Sequence, residues 1–146
     1  MSENLWGELP ESGQVRIPVT ILREQATVLG ELTENVLSAR VRGLPLPTPD
    51  MPGTISSNRF VYAFDILAPA MQGYSVTLLY MAHDVGIYPV FVFNVLAHRG
   101  QDPLRERTVE VCKSEENFKE VLRQVLTSEN VRNALRLLIA ESKAVG

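Results

Sequence analysis

The most informative pattern in this chain is a block from Phe60 to Ala97 in which Asp65 and Asp84 are the only Asp, Glu, Lys or Arg residues. Turn-forming residues divide the block, which predicts three consecutive antiparallel strands at residues 59–68, 74–83 and 87–97. Side chains alternate between the faces of a strand, so a half-solvated sheet alternates apolar and polar positions. This block is apolar on both faces, which predicts that something covers its second face.

Helical periodicity lies on both sides of the block. Pro18 suits the first turn of a helix, and apolar residues follow it with helical spacing up to Leu32. Ser114 is a good N-cap for a second helix, and a third helix is predicted to start near Thr127 and Ser128. Segments of period two at residues 36–42 and 108–112 predict two further strands.

The predicted fold class is therefore α+β: an N-terminal helix, an antiparallel β-sheet of about five strands in a meander, and two C-terminal helices packed on the sheet. Residues 1–17 are predicted to form a loosely ordered N-terminal arm, and residues 18–146 a single α+β domain. Trp6 in this arm is expected to dock, preferably on its own domain. Residues 43–58 hold four prolines and are predicted to form a long loop. The order of elements resembles several small adaptor and chaperone folds, including profilin-like ones, but a shared fold implies no function.

Strand parity divides the central strands into two unlike faces. One face is predicted to carry the large aromatic residues and to pack under the terminal helices, with Tyr62, Phe64, Tyr80, Phe91 and Phe93 among its members. The other face is smaller and mixed, yet it still holds about eight aliphatic residues. Leaving these residues in water would forfeit several kcal/mol. The cover is expected to be a helix of the chain or a second, identical subunit, with self-association favoured.

A register argument gathers polar residues on that second face. If Ala68 pairs with Tyr74 across the first hairpin, Asp65 faces Thr77. If His83 pairs with Tyr88 across the second hairpin, Thr77 faces Asn94. Asp65, Thr77 and Asn94 would then form one polar row across three strands. The row is interpreted as a small ligand pocket, as a seam that fixes subunit register, or simply as hydrogen-bond partners for a partly buried Asp65.

The same pairing predicts a second row, of Arg59, His83 and Tyr88, near one end of the sheet. A histidine beside a phenol and a guanidinium combines side chains that general acid–base catalysis uses. The chain has two histidines and no obvious nucleophile beside either, so no catalytic residue is assigned. Nothing in the sequence supports a Cys112–His83–Asp65 triad, and Cys112 is expected to pack as a small hydrophobic residue.

Composition argues against several kinds of partner and site. The 146 residues carry a formal net charge of −3, which argues against nucleic acid as a partner because phosphate binding needs clustered Lys and Arg. A single cysteine excludes an intrachain disulfide and a cysteine-based metal site, so no metal and no cofactor is predicted. The apolar runs are too short for a membrane helix, and the start has no secretory pattern. A cytoplasmic location without a membrane partner is expected.

These observations predict a non-enzymatic protein-interaction or adaptor module that self-associates through its sheet, as a homodimer or with another protein partner. The alternative is a small-molecule-binding protein or an enzyme with a polar site on the second sheet face. The candidate ligand-binding or interface residues are Asp65, Thr77, Asn94, Arg59, His83 and Tyr88. No motif identifies a ligand or partner.

Overall fold

A computed structural model describes residues 2–10, 16–45, 51–98 and 108–145 of the chain. The strands are β1 (Ser38–Gly43), β2 (Phe60–Ala68), β3 (Tyr74–His83), β4 (Val90–Asn94) and β5 (Glu110–Cys112). The helices are α1 (Pro18–Leu32), α2 (Gly53–Ser56), α3 (Glu115–Leu126) and α4 (Glu129–Val145). The strands form one antiparallel sheet in the order β1-β2-β3-β4-β5, which confirms the predicted α+β fold with its N-terminal helix, meander and two C-terminal helices.

Local signals in the sequence account for the helix ends. Pro18 occupies the first turn of α1, where its missing N–H leaves no hydrogen bond unmade. At the other end, the Thr33 hydroxyl donates to the carbonyl of Leu29 and accepts from the Leu37 N–H. The Ser114 hydroxyl accepts from the Asn117 N–H at 3.1 Å and so caps α3 as predicted.

A β-bulge in the middle of β3 interrupts the regular pairing of the sheet. Phe64 pairs with Leu79, but the next residue, Asp65, pairs with Thr77, so Leu78 is the extra residue. Leu78 and Leu79 are both buried in the same core, between the sheet and the long helices. Because one residue has been inserted, every side chain of β3 beyond the bulge lies on the opposite face from the one that simple alternation predicts.

The bulge overturns part of the predicted face assignment. Tyr62 and Phe64 of β2 pack in the helix-side core as predicted, but there they meet Met81 and Val92. Tyr80 of β3 and Phe91 and Phe93 of β4 belong instead to a second core on the other face of the sheet. Its principal members are Met51, Ile55, Val61, Ala63, Tyr80, Ala82 and Phe93.

Helix α2 supplies part of the cover that the second face requires. Residues 43–58 were predicted to contain no regular element, yet α2 forms there, and Ile55 is fully buried in the second core beside Met51. Residues 46–50 of that predicted loop lie outside the described residues. A segment of the chain itself thus covers apolar area that a second subunit was expected to bury.

The third predicted strand is shorter than expected. Residues 87–97 were assigned to it, whereas β4 covers only Val90–Asn94. Ile87 has a positive φ of 68°, and the Tyr88–Pro89 peptide bond is cis, so this segment forms part of the turn from β3. The division into an arm at residues 1–17 and a domain at 18–146 stays a prediction.

Candidate functional site

Asp65 and Thr77 form the centre of a polar cluster on the second sheet face, and their pairing confirms the predicted register of the first hairpin. The Asp65 side chain is 1% exposed. Its carboxylate accepts a hydrogen bond from the Thr77 hydroxyl at 2.6 Å, from Arg40 Nε at 3.0 Å and from Arg42 Nε at 2.8 Å. Both arginines belong to β1, which pairs with β2 so that Arg40 lies directly opposite Asp65.

The negative charge of the buried Asp65 carboxylate is balanced by the donors around it. Burial alone would raise the pKa of Asp65, but the hydrogen bonds from Arg42, Thr77 and Arg40 outweigh it and hold the pKa below its ordinary value. The same hydrogen bond to Asp65 raises the pKa of Arg42. The carboxylate is therefore ionised and already occupied by donors, which suits a structural ion pair better than a general base or a ligand contact.

Sequence reasoning did not connect the two arginines with Asp65. The signal was present in their spacing. Arg40 and Arg42 are two apart on one strand, so both lie on the face that carries Asp65. Their side chains remain about half exposed, at 49% and 44%, which keeps part of each guanidinium in water.

Asn94 does not join this row. It pairs with Leu79 instead of Thr77, because the turn between β3 and β4 is longer than predicted: Ala82 pairs with Phe91, and β4 begins only at Val90. The Asn94 side-chain oxygen accepts from the Ala97 N–H at 3.1 Å, and its carbonyl accepts from His98 Nδ1 at 2.9 Å. Asn94 thus shapes the turn that follows β4, and the predicted three-residue row reduces to Asp65 and Thr77.

The second predicted row is not formed as a row either. His83 pairs with Phe60 instead of Arg59, and the two rings stack with centroids 5.2 Å apart. His83 Nδ1 donates to the carbonyl of Asp84 at 2.9 Å, and the buried Nε2 has no hydrogen-bond partner among the described residues. Arg59 contributes its backbone N–H, which donates to Asp84 Oδ1.

Tyr88 and Cys112 are part of the helix-side core at the same end of the sheet. Burial, then the nearby charges of Glu115 and Cys112, raise the pKa of the Tyr88 phenol, whose buried oxygen has no described partner. Burial, followed by Glu110, raises the pKa of the Cys112 thiol to about 11. A thiol with this pKa is protonated at neutral pH and is a poor nucleophile. Asp65 lies on the opposite face of the sheet, so a Cys112–His83–Asp65 triad does not form.

An open apolar groove lies on the helical side of the molecule. It has a volume of about 210 Å³ and runs between α1, the end of α3 and the start of α4, with Phe64 and Ile66 of the sheet at its base. Its walls are almost entirely aliphatic, formed by Val28, Leu29, Leu32, Leu126, Val131 and Leu135. Leu32 is 78% exposed at its rim.

A more polar groove of about 410 Å³ adjoins the apolar groove along α1 and α3, and Gln25 and Leu126 line both. Arg16, Lys119 and Arg123 line it. Each of these cations pairs with a neighbouring glutamate, as in the Arg16–Glu24 and Lys119–Glu115 pairs. The polar groove therefore has little unpaired charge to attract an anion.

The described part of the N-terminal arm does not dock on the domain. Trp6 and Leu5 are each 85% exposed and Leu9 is 70% exposed, so the expectation that Trp6 packs on its own domain is wrong for this structure. A local turn holds these residues, because Asn4 Oδ1 accepts from the Trp6 N–H and Asn4 Nδ2 donates to the Gly7 carbonyl. Gly7 has a φ of 68°, a value that only glycine adopts easily.

The described part of the chain offers neither a metal-binding cluster nor a helix suited to a bilayer. No group of three or more His, Cys, Asp or Glu side chains there is arranged to hold a metal ion. Nor does any described helix combine the length and apolar character needed to cross a bilayer. Comparison of the chain with protein-family models, with curated proteins and with solved structures found no match to any of them.

Proposed function

We propose that this protein is a non-enzymatic interaction module that self-associates, and that the apolar groove receives a second copy of the chain. The proposal retains the self-association expected from the sequence but moves the interface from the sheet to the helices. The observation that carries it is the open groove, whose rim residues Leu32 and Val28 are 78% and 38% exposed beside a fully apolar base. Contiguous exposed apolar surface of this kind typically marks an interaction site.

The apolar groove suits protein side chains better than a free small molecule. Pockets for small molecules usually enclose about 300–1,000 Å³ and add a few polar groups that orient the ligand. The apolar groove encloses about 210 Å³, and Gln25 is the only polar residue among those that line it. It can hold one or two aliphatic or aromatic side chains, as the anchor pockets of protein interfaces do.

A second copy is the favoured partner because the same chain carries matching apolar side chains. Leu5, Trp6 and Leu9 are all strongly exposed in the single chain. Homodimers with two-fold symmetry are also the commonest oligomers of soluble proteins. We place this module in the cytoplasm, since a single cysteine is typical of a chain that needs no disulfides.

The alternative function, a ligand site or enzyme on the second sheet face, has weaker support. The Asp65 carboxylate already accepts from Thr77, Arg40 and Arg42, so it has little capacity left for a substrate. Asp65 also lines neither the apolar nor the polar groove. Asn94, His83 and Tyr88 lie apart from it in separate hydrogen-bonding and packing environments.

Sedimentation equilibrium or light scattering over a range of protein concentrations tests the proposal. The wild-type chain is expected to approach twice the monomer mass, and Leu32→Glu is expected to remain a monomer because it puts a charge at the groove rim. Leu137→Glu is the matched control, since Leu137 is 60% exposed on α4 but does not line the apolar groove. A monomer mass for the wild type at every concentration would refute self-association.

A further inference from the structure

We propose that the N-terminal segment Asn4–Leu9 of one copy occupies the apolar groove of a second copy, so that two chains exchange their arms reciprocally. This inference rests on the proposed self-association and adds the identity of the docking segment. It assigns a binding role to Trp6, the only tryptophan in the sequence.

The arm segment has the composition of a docking peptide. Leu5, Trp6 and Leu9 are exposed at 85%, 85% and 70%, which leaves three large apolar side chains in water within six residues. Tryptophan is among the residues that contribute most to interface affinity, because it buries a large area with few rotatable bonds. The flanking Glu3 and Glu8 are exposed and can stay in solvent when the apolar residues are buried.

A local turn orders the start of the segment. Asn4 accepts from the Trp6 N–H at 3.0 Å and donates to the Gly7 carbonyl at 3.1 Å. Both contacts lie within the segment itself, so they do not need the rest of the domain. A segment with part of its bound conformation already formed loses less entropy when it docks.

The arm leaves the domain close to the apolar groove. Arg16, at the domain end of the arm, pairs with Glu24 of α1 and lies 3.9 Å from Glu115 of α3. It lines the polar groove, which shares Gln25 and Leu126 with the apolar groove. Arg16 lies ten positions after Trp6, and an extended chain of that length reaches about 33 Å. Two copies placed groove to groove can therefore exchange arms.

The single chain leaves its own groove open and its own arm in solvent, and this favours a second copy as the source of the segment. Reciprocal exchange also gives two identical contacts related by a two-fold axis. Such an arrangement closes on itself and leaves no open groove at either end.

The experiment combines a variant that removes the docking residue, Trp6→Ala, with a variant that places a charge at the groove rim, Leu32→Glu. Each Trp6 anchor lost should cost roughly 30-fold in affinity, so Trp6→Ala, which removes both anchors of the dimer, should weaken self-association on the order of 1,000-fold. Leu32→Glu should do the same from the groove side. When these two monomeric variants are mixed, the intact arm of one and the intact groove of the other should form a mixed dimer with one working contact, weaker than the wild-type dimer.

Tryptophan emission supplies an independent readout, since it reports Trp6 alone. In the wild type the emission should shift to shorter wavelength as protein concentration rises, and Leu137→Glu should behave identically. A Trp6→Ala chain that still dimerises through Leu32 would overturn the arm assignment while self-association stands. A second outcome concerns the monomer. If its tryptophan emission already lies at shorter wavelength, and Leu32→Glu returns the emission to longer wavelength, the arm docks on its own chain and the proposed exchange between chains is wrong. A wild type that never dimerises, with unshifted emission, would overturn both proposals.

Discussion

At the scale of single residues, the chain uses its buried charge to join strands. Asp65 connects β1, β2 and β3 through Arg40, Arg42 and Thr77. The sequence predicted the partnership with Thr77 because hairpin register follows from turn length. The spacing of Arg40 and Arg42 places both on one face of β1, but the sequence did not show that this face lies beside Asp65, because the pairing of β1 with β2 depends on a long connection whose geometry no local pattern encodes.

Asp65→Asn should lower the free energy of unfolding by about 2 kcal/mol at neutral pH, since it removes the charge from several charge-assisted hydrogen bonds. The folded pKa of Asp65 lies below its ordinary value, so the stabilisation is full above pH of about 4 and is lost as the pH falls through the lowered pKa. Urea unfolding at a series of pH values should therefore show wild type and variant converging in acid. Glu31→Gln, an exposed carboxylate on α1, is the charge-matched control and should change little.

At the scale of elements, two local features escaped sequence reasoning. The bulge at Leu78 reverses the faces of the rest of β3 and of β4, and its only trace in the sequence is the pair of adjacent leucines, Leu78 and Leu79. Alternation between faces cannot reveal such an insertion when both faces are apolar. Helix α2 was missed because the density of proline around it indicates a loop, while Met51 and Ile55 are too few to show a helical period.

Ile55→Ala should destabilise the fold by about 2–4 kcal/mol, because Ile55 is completely buried between α2 and the second sheet face. The neighbouring Thr54→Ala, at an exposed position on the same helix, should have little effect. Chemical denaturation of both variants measures the difference. Equal unfolding free energies for Ile55→Ala and the wild type would show that α2 contributes nothing to the cover of this face.

At the scale of the whole molecule, the order of elements and the α+β class followed from the sequence because the segments that define them are strongly periodic. Helices α1, α3 and α4 carry one apolar stripe each, and their burial matches those stripes. The apolar groove did not follow, since it depends on how far apart α1 and α4 pack. The sequence pattern does not distinguish the apolar residues of its walls from ordinary core residues.

The position of the apolar groove between α1 and α4 links association to folding. Among the described elements, α1 is the first long helix and α4 the last. A segment bound between them therefore holds together two elements that are far apart in sequence. Binding to the folded state alone raises its stability, by about 2.7 kcal/mol at a hundredfold excess over the dissociation constant. The melting temperature of the wild type should therefore rise by several degrees with protein concentration, while that of Leu32→Glu should stay constant in the same calorimetric series. A protein that is scarce would then be less resistant to unfolding than the same protein when abundant.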